Sequence, residues 1–136
     1  MHPLKAFIVE DSPVIRDSLI ATLEELLPLT VVGTAEDESS ATRWLTQPAH
    51  QVDLVIVDIF LKTGSGLGVL RSAQGLPQGR RMVVFSNCAS SDMRRKCLQL
   101  GADRVFDKSG EIDDLVAYCD HLARSDAAPS LHGARR

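Results

Sequence analysis

The stretch Val52-Asp53-Leu54-Val55-Ile56-Val57-Asp58 (VDLVIVD, residues 52–58) decides the fold. Apart from Asp53 it is apolar and largely β-branched up to Val57, and it stops at a carboxylate. A strand with one wet face alternates; a strand covered on both faces is a near-continuous apolar run, and such strands belong to parallel sheets. Outward from it, Ala6–Val9, Thr30–Thr34, Met82–Phe85 and Arg104–Phe106 read as four further short strands. Between the strands lie stretches of helical period. Ile15, Leu19, Leu23 and Leu26 form one, opened by Ser12 as N-cap with Pro13 in the first turn and closed by Pro28. Ala41, Trp44 and Leu45 mark a second, stopped by Pro48, and Leu67 and Leu70 a short third. Met93, Cys97 and Leu100 stripe a fourth, with Gly101 as its C-terminal cap. Ile112, Leu115, Val116, Cys119 and Leu122 define the last, acidic in its first turn and with Arg124 near its end. Regular alternation of strand and helix implies an α/β fold, a doubly wound (βα)5 parallel sheet with right-handed crossovers and helices on both faces.

The chain has 136 residues, room for one ordinary domain. We place that domain at residues 1–124 and read 125–136, which is small, polar and aperiodic, as a tail or linker stub. A net charge of −3 gives no broad basic surface, so direct nucleic-acid binding is not expected. No apolar run approaches the ~20 residues needed to span a bilayer, and no signal-peptide pattern opens the chain. Cys88, Cys97 and Cys119 are odd in number and lack CxxC spacing, which fits buried thiols in a reducing cytoplasm rather than disulfides or zinc. His2, His50, His121 and His132 are scattered and receive no role. Trp44 reads as a core edge and Arg94-Arg95-Lys96 as a solvated helix face or, alternatively, a surface that meets an acidic partner. Gly64, Gly66 and Gly68 follow a strand but lack the Lys-Ser/Thr of a P-loop, so they read as turn glycines.

In an open parallel sheet, functional groups gather beyond the carboxyl ends of the strands. The first strand ends in Glu10 and Asp11, the third in Asp58, the fourth in Ser86 and the fifth in Lys108. Two carboxylates about 4 Å apart repel by roughly 4 kcal/mol at an effective dielectric of 20, so three on one rim need a compensating charge. A hard, oxygen-seeking divalent cation such as Mg²⁺ is the natural one. Beside a metal, a carboxylate becomes a plausible nucleophile toward a phosphoryl group. Phosphoryl transfer then needs little beyond positioning and counter-charge, for which Lys108, Ser86 and a backbone N–H suffice.

Over about residues 4–124 these positions resemble the receiver family of two-component signalling: an acidic pair after the first strand, Asp after the third, Ser/Thr after the fourth, Lys after the fifth. The resemblance implies a flavodoxin-like fold of strand order 2-1-3-4-5. It implies Asp58 as phosphoacceptor, with Asp11 and Asp58 as direct Mg²⁺ ligands, Glu10 assisting through water, and the Phe60 backbone carbonyl as a further ligand. Ser86, Lys108 and Asn87 would contact the phosphoryl group. The implied partners are a sensor histidine kinase or phosphotransfer protein and a downstream protein target. The chain would be a stand-alone, non-enzymatic module, monomeric or weakly dimeric through the face of its fourth helix, fifth strand and fifth helix. A docking module without phosphorylation and an aspartyl-phosphate phosphatase are the alternatives. The phosphatase chemistry usually wants a second acid where Phe60 stands, and a flavin or dinucleotide site lacks its Gly-rich turn after the first strand.

Departures from the family bear on output. The family's switch aromatic is replaced by Val105, and Phe106, one residue on, should face the other way into the core. Ser109 stands where a cis proline commonly follows the lysine, and Lys62 where proline is frequent. A cis bond without proline costs about 2.5–4 kcal/mol, so strain or a different local path is expected there. Phe60 and Cys88 flank the site and are expected to limit water access to an acyl phosphate.

Overall fold

Each apolar run becomes a strand and each amphipathic stretch a helix. A computed structural model describes residues 3–76, 79–87 and 90–127, without the side chains of 126 and 127. The order is β1 (Leu4–Val9), α1 (Pro13–Leu26), β2 (Leu29–Ala35), α2 (Glu38–Leu45), β3 (Leu54–Val57), α3 (Gly66–Gln74), β4 (Arg81–Ser86), α4 (Ser91–Gln99), β5 (Arg104–Asp107) and α5 (Ile112–Ala127). The strands form one parallel sheet in the order β2-β1-β3-β4-β5. Boundaries shift from the sequence reading by one or two residues, by two at β1, which starts at Leu4 rather than Ala6, and at β3, whose ladder starts at Leu54 rather than Val52. The tail reading at 125–136 meets a helix that runs through Ala127; residues 128–136, with His132, lie outside the described residues, as do His2 and Cys88.

Period two along the strands sorts their side chains between two cores. Ala6, Ile8, Leu54, Ile56, Val83, Phe85 and Phe106 face α1 and α5, packing with Leu19, Leu23, Leu115 and Cys119. Phe7, Val9, Val55, Val57, Val84 and Val105 face α2, α3 and α4, packing with Ala41, Leu45, Val69, Leu70 and Cys97. Trp44 lies partly buried at the margin of this second layer, stacked on Phe7 with ring centroids 4.1 Å apart, and His50 stacks on its other side. Among the described residues no helix is long and apolar enough to cross a membrane.

The helix starts follow from side-chain caps. Ser12 Oγ accepts from Ile15 N–H at 3.3 Å, Asp37 from Ser40 at 2.7 Å, Ser65 from Leu67 at 3.0 Å and Ser90 from Met93 at 3.2 Å. Gly101, at φ +105°, ends α4 in the left-handed region that glycine enters without penalty. The turn-glycine reading holds for Gly64, at φ +80°, but not for its neighbours. Gly66 and Gly68 begin α3, where a Cβ would come within 2.2 Å of the Asp58 carbonyl oxygen and 2.1 Å of Glu38 Oε2 respectively. They are there for close packing.

Candidate functional site

The parallel ladder carries the site residues into register one step past the strands. Glu10 N–H donates to Ala35 O at 2.9 Å, Asp58 N–H to Val9 O at 3.0 Å and Lys108 N–H to Ser86 O at 3.1 Å. Glu10, Asp11 and Asp58 therefore meet where β1 and β3 part toward opposite edges, the topological switch point. Each offers a carboxylate oxygen within 4.8 Å of the others. Glu10 and Asp58 are buried, at 3% and 6% exposed, and Asp11 stands at the mouth.

The sequence reading left the acids without a partner other than a metal; the structure supplies one. Lys108 Nζ donates to Glu10 Oε1 at 2.6 Å and to Asp58 Oδ2 at 2.9 Å. Burial by itself disfavours the ammonium, but the hydrogen bonds and charges of Glu10 and Asp58 outweigh it and raise the Lys108 pKa. Ser86 Oγ donates to Asp58 Oδ1 at 2.7 Å and accepts from Ile59 N–H at 3.4 Å. The Phe60 N–H also donates to Asp58 Oδ1, at 3.2 Å. Three carboxylates against one ammonium leave two negative charges to balance, and every donor atom in the cluster is oxygen. That set fits a hard divalent cation such as Mg²⁺.

The remaining predicted positions spread around this centre. Asn87 is exposed and lines a groove that also holds Lys108, Val14, Ile15, Phe85 and Ile112. The Phe60 side chain is 52% exposed, which weakens its expected role as a shield against water; Cys88, its supposed companion, lies outside the described residues. Val105 is 9% exposed in the second core layer and Phe106 is buried in the first, so the two do face opposite ways. No peptide bond among the described residues is cis. After Lys108 the chain turns on Asp107 instead, whose Oδ1 accepts from Ser109 N–H at 2.8 Å and from its hydroxyl at 2.5 Å.

One contact and one residue escaped sequence reasoning. Asp11 Oδ2 accepts from the Lys62 N–H at 2.7 Å, a backbone contact that no side-chain pattern announces. Glu38, at the start of α2, accepts from Ser65 N–H at 2.9 Å; the spacing of Gly64 and Gly68, which leaves room for its carboxylate, was the only trace. The solvated reading of the basic run fails for Arg94. Its guanidinium donates to Val105 O and to Glu111 Oε1, each at 2.9 Å, because α4 lies alongside β5. Arg95 does stay at the surface, paired with Asp92.

Comparison with known proteins agrees with this geometry. The response regulator receiver domain family matches over residues 6–120. The transcriptional regulatory protein CitB of Klebsiella pneumoniae is 27% identical over 142 residues, covering 97% of this chain and 58% of CitB. Fimbriae Z protein of Salmonella typhimurium is 24% identical over 115 residues, 85% of this chain and 54% of that protein. The chain thus spans about half the length of the curated relatives it matches. Among solved structures, the signal receiver domain of NarL from Mycobacterium tuberculosis has a TM-score of 0.80 at 20% identity, covering 91% of this chain and 98% of that one. At that identity the likeness speaks for the fold; the family match speaks for kinship. The chain belongs to the response regulator receiver domain family of two-component signalling.

Proposed function

We propose that Asp58 accepts a phosphoryl group from the phosphohistidine of a histidine kinase or phosphotransfer protein, in a reaction that depends on Mg²⁺. The observation that carries this reading is that Asp58 lies within 4.8 Å of the Glu10 and Asp11 carboxylates and is bonded directly to both Ser86 and Lys108. Glu10, Asp11 and Asp58, with the Phe60 carbonyl, are the groups that would hold the ion. When bound it supplies counter-charge to the phosphoryl oxygens. The chain's own residues supply the rest. An Asp58 carboxylate oxygen forms the new O–P bond as the P–N bond to imidazole breaks. The Lys108 ammonium and the Ser86 hydroxyl, both now bonded to Asp58, are placed to turn to the arriving phosphoryl oxygens. Output goes to a protein target in the cytoplasm, the chain acting as a monomer or as a weak dimer through the α4–β5–α5 face.

Acetyl phosphate with Mg²⁺ should add one phosphate to the purified protein by intact mass, and none to Asp58→Asn. Mg²⁺ alone should raise the melting temperature by binding the folded state, and Asp11→Asn should largely abolish that rise. Equal labelling of Asp58→Asn, or a melting temperature indifferent to millimolar Mg²⁺, refutes the reading.

A further inference from the structure

The loop from β3 to α3 carries Asp58 at one end and is tied down by carboxylates on both flanks. On one flank Asp11 Oδ2 takes the Lys62 N–H at 2.7 Å. On the other, Glu38 reaches across from α2. Its Oε1 accepts from Ser65 N–H at 2.9 Å, and its own N–H donates to Thr63 O at 3.3 Å. Ser65 in turn forms an antiparallel bridge with Phe60, and the next residue, Gly66, donates its N–H to Ile59 O at 2.9 Å. The Phe60 backbone is therefore suspended between two anchors, one from the loop after β1 and one from α2.

The seat of Glu38 is shaped for it. A Cβ on Gly68 would stand 2.1 Å from Glu38 Oε2, and a Cβ on Gly64 would stand 2.9 Å from Oε1. Glycine is a poor residue inside a helix, so its presence in the first turn of α3 reflects room kept for a neighbour. The carboxylate there also meets the positive end of the α3 dipole.

We infer that Glu38 is a positioning residue for the phosphoacceptor loop: it holds the Phe60 backbone where a divalent cation bound by Glu10, Asp11 and Asp58 requires it. The inference rests on the functional reading above and deepens it. Without Glu38 the loop samples other conformations, and apparent affinity falls by the fraction of time spent in the competent one. A loop competent about one tenth of the time binds about tenfold more weakly, while the rate at saturating metal stays close to that of the wild type.

Calorimetric Mg²⁺ titration, with acetyl-phosphate labelling at limiting and saturating Mg²⁺, tests this. Glu38→Ala should raise half-saturating Mg²⁺ about five- to tenfold, and Glu38→Gln, which keeps an acceptor for Ser65, by about twofold at most. Gly68→Ala should improve α3 as a helix yet displace the carboxylate, so it should weaken Mg²⁺ binding as Glu38→Ala does. Thr42→Ala removes the other polar link between α2 and α3, the 3.5 Å contact to Ser72, and should leave Mg²⁺ binding unchanged whatever it does to melting. Should Glu38→Ala fail to fold, Gly68→Ala and Glu38→Gln carry the comparison. Wild-type Mg²⁺ binding in Gly68→Ala or Glu38→Ala overturns the inference and leaves the phosphoacceptor reading standing. A wild-type protein that neither binds Mg²⁺ nor takes a phosphoryl group overturns both.

Discussion

Removing the Lys108 ammonium would leave two buried carboxylates, Glu10 and Asp58, facing each other with no cation between them. Deleting one partner of a buried ion pair costs about 3–5 kcal/mol, because the remaining charge keeps its desolvation penalty. The shift in Lys108 also fixes where pH matters. A lysine pKa raised on folding gives stability that is whole below the ordinary value of 10.5 and is lost only as pH climbs through the raised one. Between about pH 6 and pH 9 its contribution is flat. We predict that Lys108→Met loses about 3 kcal/mol in urea melts with chelator present. Mg²⁺ should restore more stability to the variant than it adds to the wild type, because the ion then takes over the role of the ammonium. An equal Mg²⁺ increment in both proteins would contradict the shared-charge account of the site. Glu10, Asp11, Asp58, Ser86 and Lys108 were all legible in the sequence, because each ends an apolar run and so must stand on the same rim. Glu38 was not, since its partner Ser65 is 27 residues away and the bond is to backbone.

At the scale of elements, α4, β5 and the start of α5 are joined by one pair of side chains. Arg94 of α4 holds Val105 O and Glu111, and the same Glu111 Oε1 accepts from Asp107 N–H at 2.7 Å. The Arg94 bond, then the Asp107 amide, hold the Glu111 carboxyl below its ordinary 4.5, so this tie is intact above that value and loosens as pH falls through the lowered one. Val105 is β-branched and stiff at χ1, so it cannot report phosphorylation as a rotating ring would. We expect the response to begin in the loop after Ser86 and the first turn of α4, and to pass through Arg94 to the β5–α5 junction. Amide-shift mapping with a beryllofluoride phosphate mimic should show its largest changes over residues 86–95, reaching Asp107 and Glu111. Arg94→Met should keep the first group and lose the second, with Asp58 labelling unchanged. Shifts centred on 104–106 with a quiet 86–95 segment would sink this route. The start of this route, over residues 86–95, follows from Val105 standing at the switch position; its leg through Arg94 could not be read from the sequence, because a run of three basic residues looks solvated until β5 is known to lie beside one of them.

For the whole molecule, local pattern gave the elements, and the resemblance, not the pattern, gave the order in which they pair. Strand order is set by contacts distant along the chain, and strands of four to seven residues carry no label for their neighbours. What period two did foretell is a sheet with two separate cores, and among the described residues each core holds one cysteine. Cys97, in α4, faces one side of the sheet, and Cys119, in α5, the other. Burial pushes the pKa of both thiols up, that of Cys119 to about 12, so neither forms the reactive thiolate while the protein is closed. In a Cys88→Ser background, a thiol reagent therefore reads how often each layer opens. The Asp58 loop and α4 border the Cys97 layer, so Mg²⁺ should slow labelling of Cys97 by more than it slows Cys119. If both slow equally, the two layers open only together. The paired thiols are thus native clocks, one for each side of the sheet, separating a switch that loosens one face from one that loosens the whole domain.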